Sequence, residues 1–371
     1  MTSRQKPQTT HKRQRWQLGC LLGVAVTLAS GLGAAAPETA AGAHSPTRHT
    51  VRPGESVQAA VDAAAPGDTV VLSPGTYRES VLITKDGLKL RGAGPDTVLT
   101  PPPTGSPAPH GCARDGHGIC VLGTGADLAE RVSIRSLTLR GFRQHGLWAS
   151  RTERLSVQRV TAEKNGVWGI AQQRSTRSSL RGNTATGNGD AGLFVANAVD
   201  AEGGATDTGG TLIADNRLTG NRIGVTVRRV RNLTVRTNEI SGNCAGLFIV
   251  GDESKPAAGA LTVRGNTIRQ NNRLCPATPR LPAIQGSGIV LTGSEASVIR
   301  DNRILDNVGS APMSGGIVLV QSFVGAANTD NVIENNEVRG NATADLVHRG
   351  GGTGNRFTRN DCKSSEPAGM C

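Results

Sequence analysis

The chain has 371 residues, with 41 basic and 29 acidic side chains and a formal net charge of +12 at pH 7. Its basic residues are dispersed and accompany no recognised binding module, which argues against nucleic acid as a partner. The positive balance favours anionic partners such as polyuronates, teichoic acids or sulfated glycans, although it equally describes an ordinary well-solvated exported protein.

The first 36 residues carry the pattern of an export signal. Basic residues between Arg4 and Arg15 precede an apolar run, Leu18 to Leu28, and the small residues Gly33 to Ala36. We therefore expect residues 1–36 to be a signal peptide, residues 37–49 to form a flexible mature N-terminus, and the protein to be secreted. Without the five basic residues of the signal, 36 basic and 29 acidic side chains remain, a net charge of about +7. The apolar run is too short to span a membrane, so no membrane association is expected after cleavage.

Residues 50–100 predict an N-terminal cap and the first coils of a repeated structure. Ser56 is suited to begin a helix, and apolar residues follow it at i, i+3, i+4 and i+7, which predicts a short amphipathic capping helix. These apolar residues are Val57, Ala60, Val61 and Ala64. Short strands are predicted at 69–72, 81–84 and 88–90, between turn sequences. Residues 101–120, rich in Pro, Gly and Ser, are predicted to be a loop.

One pattern recurs within residues 121–362, where two asparagines five residues apart follow an apolar-x-apolar triplet and precede Gly-apolar-x-apolar. The asparagines stand at 183 and 188, 216 and 221, 238 and 243, 266 and 271, 302 and 307, and 336 and 341, and Asn360 begins a truncated coil. Each triplet is a very short strand, and stacked coils of three strands bury the inner side chains in one narrow core. The asparagines would hydrogen-bond along a turn. An all-β solenoid is therefore predicted for residues 50–371, with 363–371 as a C-terminal tail.

Two motifs precede these repeats, Ser-Val-Gln-Ala-Ala-Val at 56–61 and Gly-Asp-Thr-Val-Val-Leu-x-Pro-Gly-Thr-Tyr at 67–77. Motifs and repeats together, over about residues 50–362, resemble the pectin-lyase-like superfamily. The resemblance implies a single-stranded right-handed parallel β-helix, with three short strands per coil and a short N-terminal capping helix. It is specific for the fold and weak for activity, because that superfamily includes polysaccharide lyases, glycoside hydrolases, epimerases, esterases and phage tailspikes. We expect a monomer.

Seven cysteines become six once Cys20 leaves with the signal peptide, an even number in a chain bound for an oxidising compartment. Disulfides are therefore expected, although about fifteen connectivities are formally open to six cysteines. Pairing of nearest neighbours predicts Cys112 with Cys120, Cys244 with Cys275, and Cys362 with Cys371.

Strands of the Gly-apolar-x-apolar type are flanked by the longest insertions, and the middle residue of each triplet should face outwards. The column so defined is Trp148, Ala171, Phe194, Thr226, Phe248, Val290 and Val318. Trp148, Phe194 and Phe248 are the candidate substrate-binding residues, since exposed rings along a groove could stack on sugar faces. The alternative is that these rings lie beneath the long loops as a satellite core.

The resemblance to polysaccharide lyases implies a strong base and carboxylates that hold Ca²⁺ against a uronate carboxyl group. The predicted catalytic residues are Arg228 and Lys255, one of which would be the base. The predicted ligands of a possible Ca²⁺ are Asp200, Asp207, Asp252 and Glu253. The alternative is that these six residues are solvated loop charges.

A glycoside hydrolase site has less support. Asp115 to Gly118 and Asn328 to Asp330 are similar to motifs of polygalacturonases, but their order in the chain is reversed and the accompanying Asp pair is missing. His145, just before a Gly-apolar strand, could be a general acid, or a surface residue at a turn.

Two functions from different classes remain open. The protein would bind an anionic polysaccharide and cleave it by β-elimination, or it would be a noncatalytic β-helix scaffold, adhesin or cell-wall binding protein. The position of the charged loop residues discriminates between these two functions. If Asp200, Asp207, Arg228, Asp252 and Lys255 meet in one open groove, an enzyme is favoured, whereas loops folded over the sheet favour the scaffold.

Overall fold

The computed structural model describes residues 45–279 and 281–371. As predicted, the fold is a single-stranded right-handed parallel β-helix, in which a coil supplies one short strand to each of three parallel sheets. The predicted signal peptide, residues 1–36, lies outside the described residues. No helix within 45–279 or 281–371 is long and apolar enough to cross a membrane.

The three sheets contain 12, 10 and 11 strands and are called sheet 1, sheet 2 and sheet 3. Sheet 1 consists of Arg48–Val51, Thr69–Leu72, Lys89–Arg91, Ser133–Arg135, Ser156–Gln158, Ser179–Arg181, Thr206–Ala214, Val230–Arg236, Gly259–Arg264, Val298–Arg300, Val332–Glu334 and Arg356–Thr358. Sheet 2 consists of Gly75–Arg78, Thr97–Thr100, Thr138–Arg140, Thr161–Glu163, Thr184–Thr186, Arg217–Thr219, Glu239–Ser241, Thr267–Arg269, Arg303–Leu305 and Glu337–Arg339. Sheet 3 consists of Val81–Ile83, Ile119–Leu122, Leu147–Ser150, Ile170–Gln173, Ala191–Ala196, Ile223–Arg228, Ala245–Val250, Ser287–Thr292, Gly315–Val320, Leu346–Arg349 and Ser365–Glu366. Two strands, Ala129–Glu130 and Thr152–Glu153, pair separately.

The alternation of each apolar triplet points every second side chain into one continuous core. In sheet 3, for example, Leu193 lies against Val225, and Val225 against Leu247, in exact cross-strand register. All three side chains are fully buried. A core of this kind exists only between coils, which is why the repeat had to be stacked to fold.

Two asparagine ladders run along the corners between the sheets. The first joins sheets 1 and 2 and links the amide groups of consecutive asparagines at 2.8–3.0 Å; its members are Asn183, Asn216, Asn238, Asn266, Asn302, Asn336 and Asn360. The second joins sheets 2 and 3 at 2.9–3.2 Å; its members are Asn165, Asn188, Asn221, Asn243, Asn271, Asn307 and Asn341. The second ladder ends on the carboxylate of Asp345, which accepts from the Asn341 side chain at 3.0 Å.

The N-terminal cap forms as predicted, with small differences in its limits. The helix spans Val57–Ala63, and the Ser56 hydroxyl accepts from the backbone of Ala59 at 3.1 Å. Residues 48 and 49, expected to be flexible, belong instead to a strand, Arg48–Val51, because that strand pairs with Thr69–Leu72. The predicted Pro/Gly loop also contains a second helix, Gly111–Asp115.

The C-terminal residues are part of the solenoid. Residues 363–371 were expected to form a tail, but Ser365–Glu366 pairs with the preceding strand of sheet 3.

The three predicted disulfides are confirmed: Cys112–Cys120, Cys244–Cys275 and Cys362–Cys371. The last of them closes the C-terminal end of the chain on itself.

Gln172 interrupts the apolar core, and its replacement by methionine is expected to stabilise the protein. Its side chain lies at an inward position, between Ala149 and Val195, and neither amide atom has a partner among the described residues. A buried, unsatisfied amide costs about 1–3 kcal/mol, so Gln172→Met should raise the free energy of unfolding by about 1–2 kcal/mol in a urea titration.

The neighbouring Gln173 provides the matched control. Its side chain faces outwards, donates to the Ser150 hydroxyl at 3.2 Å and accepts from the Val199 backbone at 2.8 Å. Gln173→Met should therefore lower stability by about 1–2 kcal/mol. Equal changes in the two variants would contradict this account of Gln172.

Candidate functional site

Sheet 3 is the face with the longest loops, which leave it at 197–205, 251–258 and 321–331 and approach it at 101–118, 272–286 and 306–314. Its outward column has the predicted register, so Trp148, Ala171, Phe194, Thr226, Phe248, Val290 and Val318 lie one above the other. The two halves of this column have different surroundings.

The C-terminal half of the column is covered by the approaching loops. Phe248 and Val290 pack in a second apolar cluster with Ile284 and Met313 from those loops, and the disulfide of Cys244 holds the loop in place. Phe248 is only 2% exposed. The expectation that this ring stacks on a sugar is therefore corrected: it packs beneath a loop, as the alternative interpretation had it.

The N-terminal half of the column carries a group of stacked rings. Phe194 is 5% exposed because Trp168 lies flat on it, with ring centroids 3.9 Å apart, and Val199 packs beside it. Phe194 is thus also unavailable for stacking on a sugar. Trp148 keeps part of its surface exposed. Of the three predicted substrate-binding rings, Trp148 alone is accessible.

Two histidines extend the stack. His145 lies 4.3 Å from Trp168 and 4.6 Å from His117, and Trp148 flanks both histidines at 5.3 and 6.2 Å between ring centroids. We call these five residues the aromatic cluster: His117, His145, Trp148, Trp168 and Phe194. Three of them precede the first glycine of a Gly-apolar-x-apolar strand in successive coils, so their alignment follows from the repeat itself.

Both histidines are neutral at neutral pH. Burial, and then the charge of His117, lower the pKa of His145 to about 3. Burial also lowers the pKa of His117. His145 Nδ1 accepts from the Trp168 backbone at 3.3 Å. A group with so low a pKa is mostly deprotonated near pH 7, which does not suit a general acid there, and at 7% exposure His145 is not a surface residue either.

The predicted bases contact different partners. Arg228 ends its strand, and its Nη1 lies 3.5 Å from the carbonyl oxygen of Ala198. Lys255 is exposed, and its Nζ lies 3.9 Å from a carboxylate oxygen of Glu295. Neither contact places the two cations on a common group.

Arg229, which the sequence analysis did not single out, binds two of the loop acids. Its guanidinium forms ion pairs with Glu202 and Asp252 and donates to the carbonyl oxygen of Ala201 at 3.3 Å. Its side chain is only 11% exposed. Arg229 therefore links the loops at 197–205 and 251–258, because it neutralises Glu202 of the first loop and Asp252 of the second. Nothing in the sequence distinguishes Arg229 from Arg228 beside it.

The other predicted metal ligands are dispersed. Asp200 pairs with Arg174 at 3.1 Å, and Asp207 accepts from the backbone of Gly209 at 2.7 Å. Glu253 is exposed. The described residues contain no group of three or more His, Cys, Asp or Glu that could hold a metal ion. Asp200, Asp207, Asp252 and Glu253 are not brought together, so a Ca²⁺ site stays a prediction.

A family model described as a right handed beta helix region matches residues 110–259 and 206–371. Similar solved structures include the A-module of mannuronan C-5 epimerase AlgE4 from Azotobacter vinelandii, at 18% identity, 83% coverage of this chain, 94% of that chain and a TM-score of 0.51. The periplasmic alginate epimerase AlgG is 14% identical, with 85% of this chain and 83% of that chain covered and a TM-score of 0.52. Pectate lyase Pel9A is 14% identical, with 87% of this chain and 80% of that chain covered and a TM-score of 0.50. No protein with a curated description matches. At these identities the likeness concerns the fold.

Proposed function

Because the chain belongs to the right-handed β-helix family, we propose that it is an exported protein that binds an anionic polysaccharide at the aromatic cluster and does not cleave it. The observation that carries this proposal is the partly exposed Trp148, backed by stacked rings on a sheet where Phe194 and Phe248 are covered. A ring held in a fixed orientation by its neighbours can contact a sugar face with little loss of conformational freedom.

The choice of an anionic partner rests on charge and on the printed names of similar structures. The chain is basic, with a net charge of +12 in full and about +7 without the expected signal peptide. The similar structures include epimerases named for mannuronan and alginate and a lyase named for pectate, polymers that carry carboxylates. These names support the choice of polymer to be tested on this chain.

Binding without cleavage is favoured by the state of the charged groups. β-Elimination needs a base placed at the C5 proton and positive charge on the neighbouring carboxylate. Arg229 forms ion pairs with two acids of the adjoining loops. Arg228 and Lys255 contact separate partners. Burial lowers the pKa of His145 to about 3. Each of these groups already has a contact of its own within the protein.

Replacing Trp148 by alanine is expected to weaken binding of a polyuronate about tenfold or more, because tryptophan anchors contribute a large share of binding free energy. Affinity would be measured by calorimetry on the purified protein. Trp148→Phe should retain most of it. The control is Phe323→Ala, since Phe323 is 70% exposed and lies outside the cluster.

Two results would overturn the proposal. If Phe323→Ala weakened binding of the polyuronate and Trp148→Ala left its affinity unchanged, the binding site would lie at another ring. Formation of unsaturated products from alginate or polygalacturonate, followed by their absorbance, would show cleavage, and Arg228→Ala and Lys255→Ala would then be compared to find the base.

A further inference from the structure

The outer face of sheet 1 carries arginines stacked directly on one another. Cross-strand register places Arg91 against Arg135, Arg236 against Arg264, and Arg264 against Arg300. Across eight neighbouring strands, six of the residues at this position are arginine, and we call them the arginine column: Arg91, Arg135, Arg181, Arg236, Arg264 and Arg300. At a strand spacing of about 4.8 Å, the column is about 34 Å long.

Sheet 2 shows what a charge-compensated face of the same solenoid looks like. Arg217 lies 3.4 Å from Glu239, and Arg303 lies 2.7 Å from Glu337, each pair directly opposite in register. Opposite charges on adjacent strands stabilise the pairing. Sheet 2 therefore provides the counter-charge for these two arginines.

Part of the arginine column is compensated: the charge of Asp215 acts on Arg236 as well as on Arg181, and Glu334 lies opposite Arg300 in the next strand. Arg181 pairs with Asp215 at 2.7 Å and Arg300 with Asp301 at 2.7 Å. For the other four, no carboxylate within the described part of the chain lies at ion-pair distance: Arg91, Arg135, Arg236 and Arg264. Like charges directly opposite each other destabilise a sheet, so this face loses stability unless an anion lies along it.

The column is accessible and has polar neighbours suited to a sugar chain. Arg91, Arg181 and Arg264 are exposed, and the remaining three are half-buried or nearly so. Two positions earlier in the strands, half-buried hydroxyl residues stand beside the column: Ser156, Ser179, Thr234 and Thr262. Guanidinium groups therefore alternate with hydroxyl groups across the face.

We propose that the arginine column binds a linear polyuronate, with carboxylates of the polymer accepted by arginines of neighbouring coils. A guanidinium group donates two parallel hydrogen bonds to a planar carboxylate, and the adjacent hydroxyls can bond to the sugar. Gln158 and Ala214 interrupt the column, but Arg236, Arg264 and Arg300 occupy consecutive strands about 4.8 Å apart, which suits a ligand with closely spaced charges. This inference rests on the proposed anionic polysaccharide, and it adds a surface separate from the aromatic cluster.

The test compares two double variants of the full protein that remove equal charge. Arg236→Gln with Arg264→Gln should weaken binding of polygalacturonate about tenfold at 0.15 M salt (roughly physiological ionic strength) and flatten the salt dependence of the affinity. The control, Arg217→Gln with Arg303→Gln on sheet 2, should change affinity less than about twofold. The methyl-esterified polymer should bind both variants and the unmodified protein alike. The midpoint temperature of thermal unfolding of the sheet 1 variant should not be lower than that of the unmodified protein.

Each contrary outcome overturns the inference. Equal losses in both double variants would mean that net charge alone attracts the polymer. Tighter binding of a sulfated polysaccharide than of polygalacturonate would exclude the polyuronate. Loss of binding in Trp148→Ala but not in the sheet 1 variant would end this inference and leave the proposed function standing, whereas the reverse pattern would remove the proposed site and leave the arginine column.

Discussion

Replacing Asn238 with alanine is expected to lower the free energy of unfolding by about 3–4 kcal/mol, since it breaks the first asparagine ladder in its middle. The Asn238 side chain accepts from the backbone and the side chain of Asn216 at 3.0 and 2.8 Å. It also donates to the carbonyl of Ile213 and to the side chain of Asn266 at 3.1 and 2.9 Å. All of these groups are buried, so alanine would leave donors and acceptors without partners in two neighbouring coils.

The control for this variant is Asn335→Gly. Asn335 is exposed, stands outside both ladders and has a φ of +53°, which glycine adopts without strain. Its replacement should change stability by less than about 0.5 kcal/mol. Urea titration followed by circular dichroism measures both. Similar, small losses in the two variants would show that the ladder is a consequence of the fold and contributes little to its stability.

The ladder could be read from the sequence because its cause is local and periodic. Asparagines five residues apart recur in coil after coil, and a residue type that repeats at a corner predicts stacking there. The same holds for the capping helix at Ser56 and for the outward column of Trp148, whose register follows from counting along each strand. The nearest-neighbour disulfides were also correct, and two of the three close loops with sequence separations of 8 and 9 residues.

What could not be predicted depends on loops that do not repeat. Whether Phe248 faces solvent or lies beneath Ile284 depends on how a long insertion folds back, and no period describes that insertion. Arg229 binds both Glu202 and Asp252, which lie in such insertions, whereas the sequence pattern singled out Arg228 beside it. The aromatic cluster could have been predicted, because His117 and His145 precede equivalent glycines. Aligning the repeats places the two histidines at the same position of consecutive coils, where they stack.

These differences change which function the site favours. Acids and bases that could have formed a lyase site are paired with one another or separated, whereas the rings that could bind a sugar are stacked and neutral. The C-terminal half of sheet 3 is closed by its loops and the N-terminal half presents Trp148. A binding surface therefore agrees with the geometry better than a catalytic groove does.

The glycine that begins each sheet 3 triplet lies where neighbouring coils approach closely. Glycine is common in turns because it adopts a positive φ without strain, yet Gly246 does not have a positive φ. A Cβ atom placed on Gly246 would lie 2.5 Å from the carbonyl oxygen of Gly288 in the next coil, and one placed on Gly224 would lie 2.6 Å from the carbonyl oxygen of Gly246. The coils approach so closely here that no side chain fits.

Gly246→Ala is therefore expected to cost about 3 kcal/mol or more, because the added methyl group meets backbone that can move only if the neighbouring coils separate. The matched control is Gly242→Gln, four residues earlier. Gly242 has a φ of +65° and open space around it, and Gln270 occupies the equivalent place one coil later with a φ of +53°. That variant should lose about 1 kcal/mol or less. If Gly242→Gln were the more damaging of the two in urea titration, backbone conformation and not the spacing of the coils would explain the glycines of this solenoid.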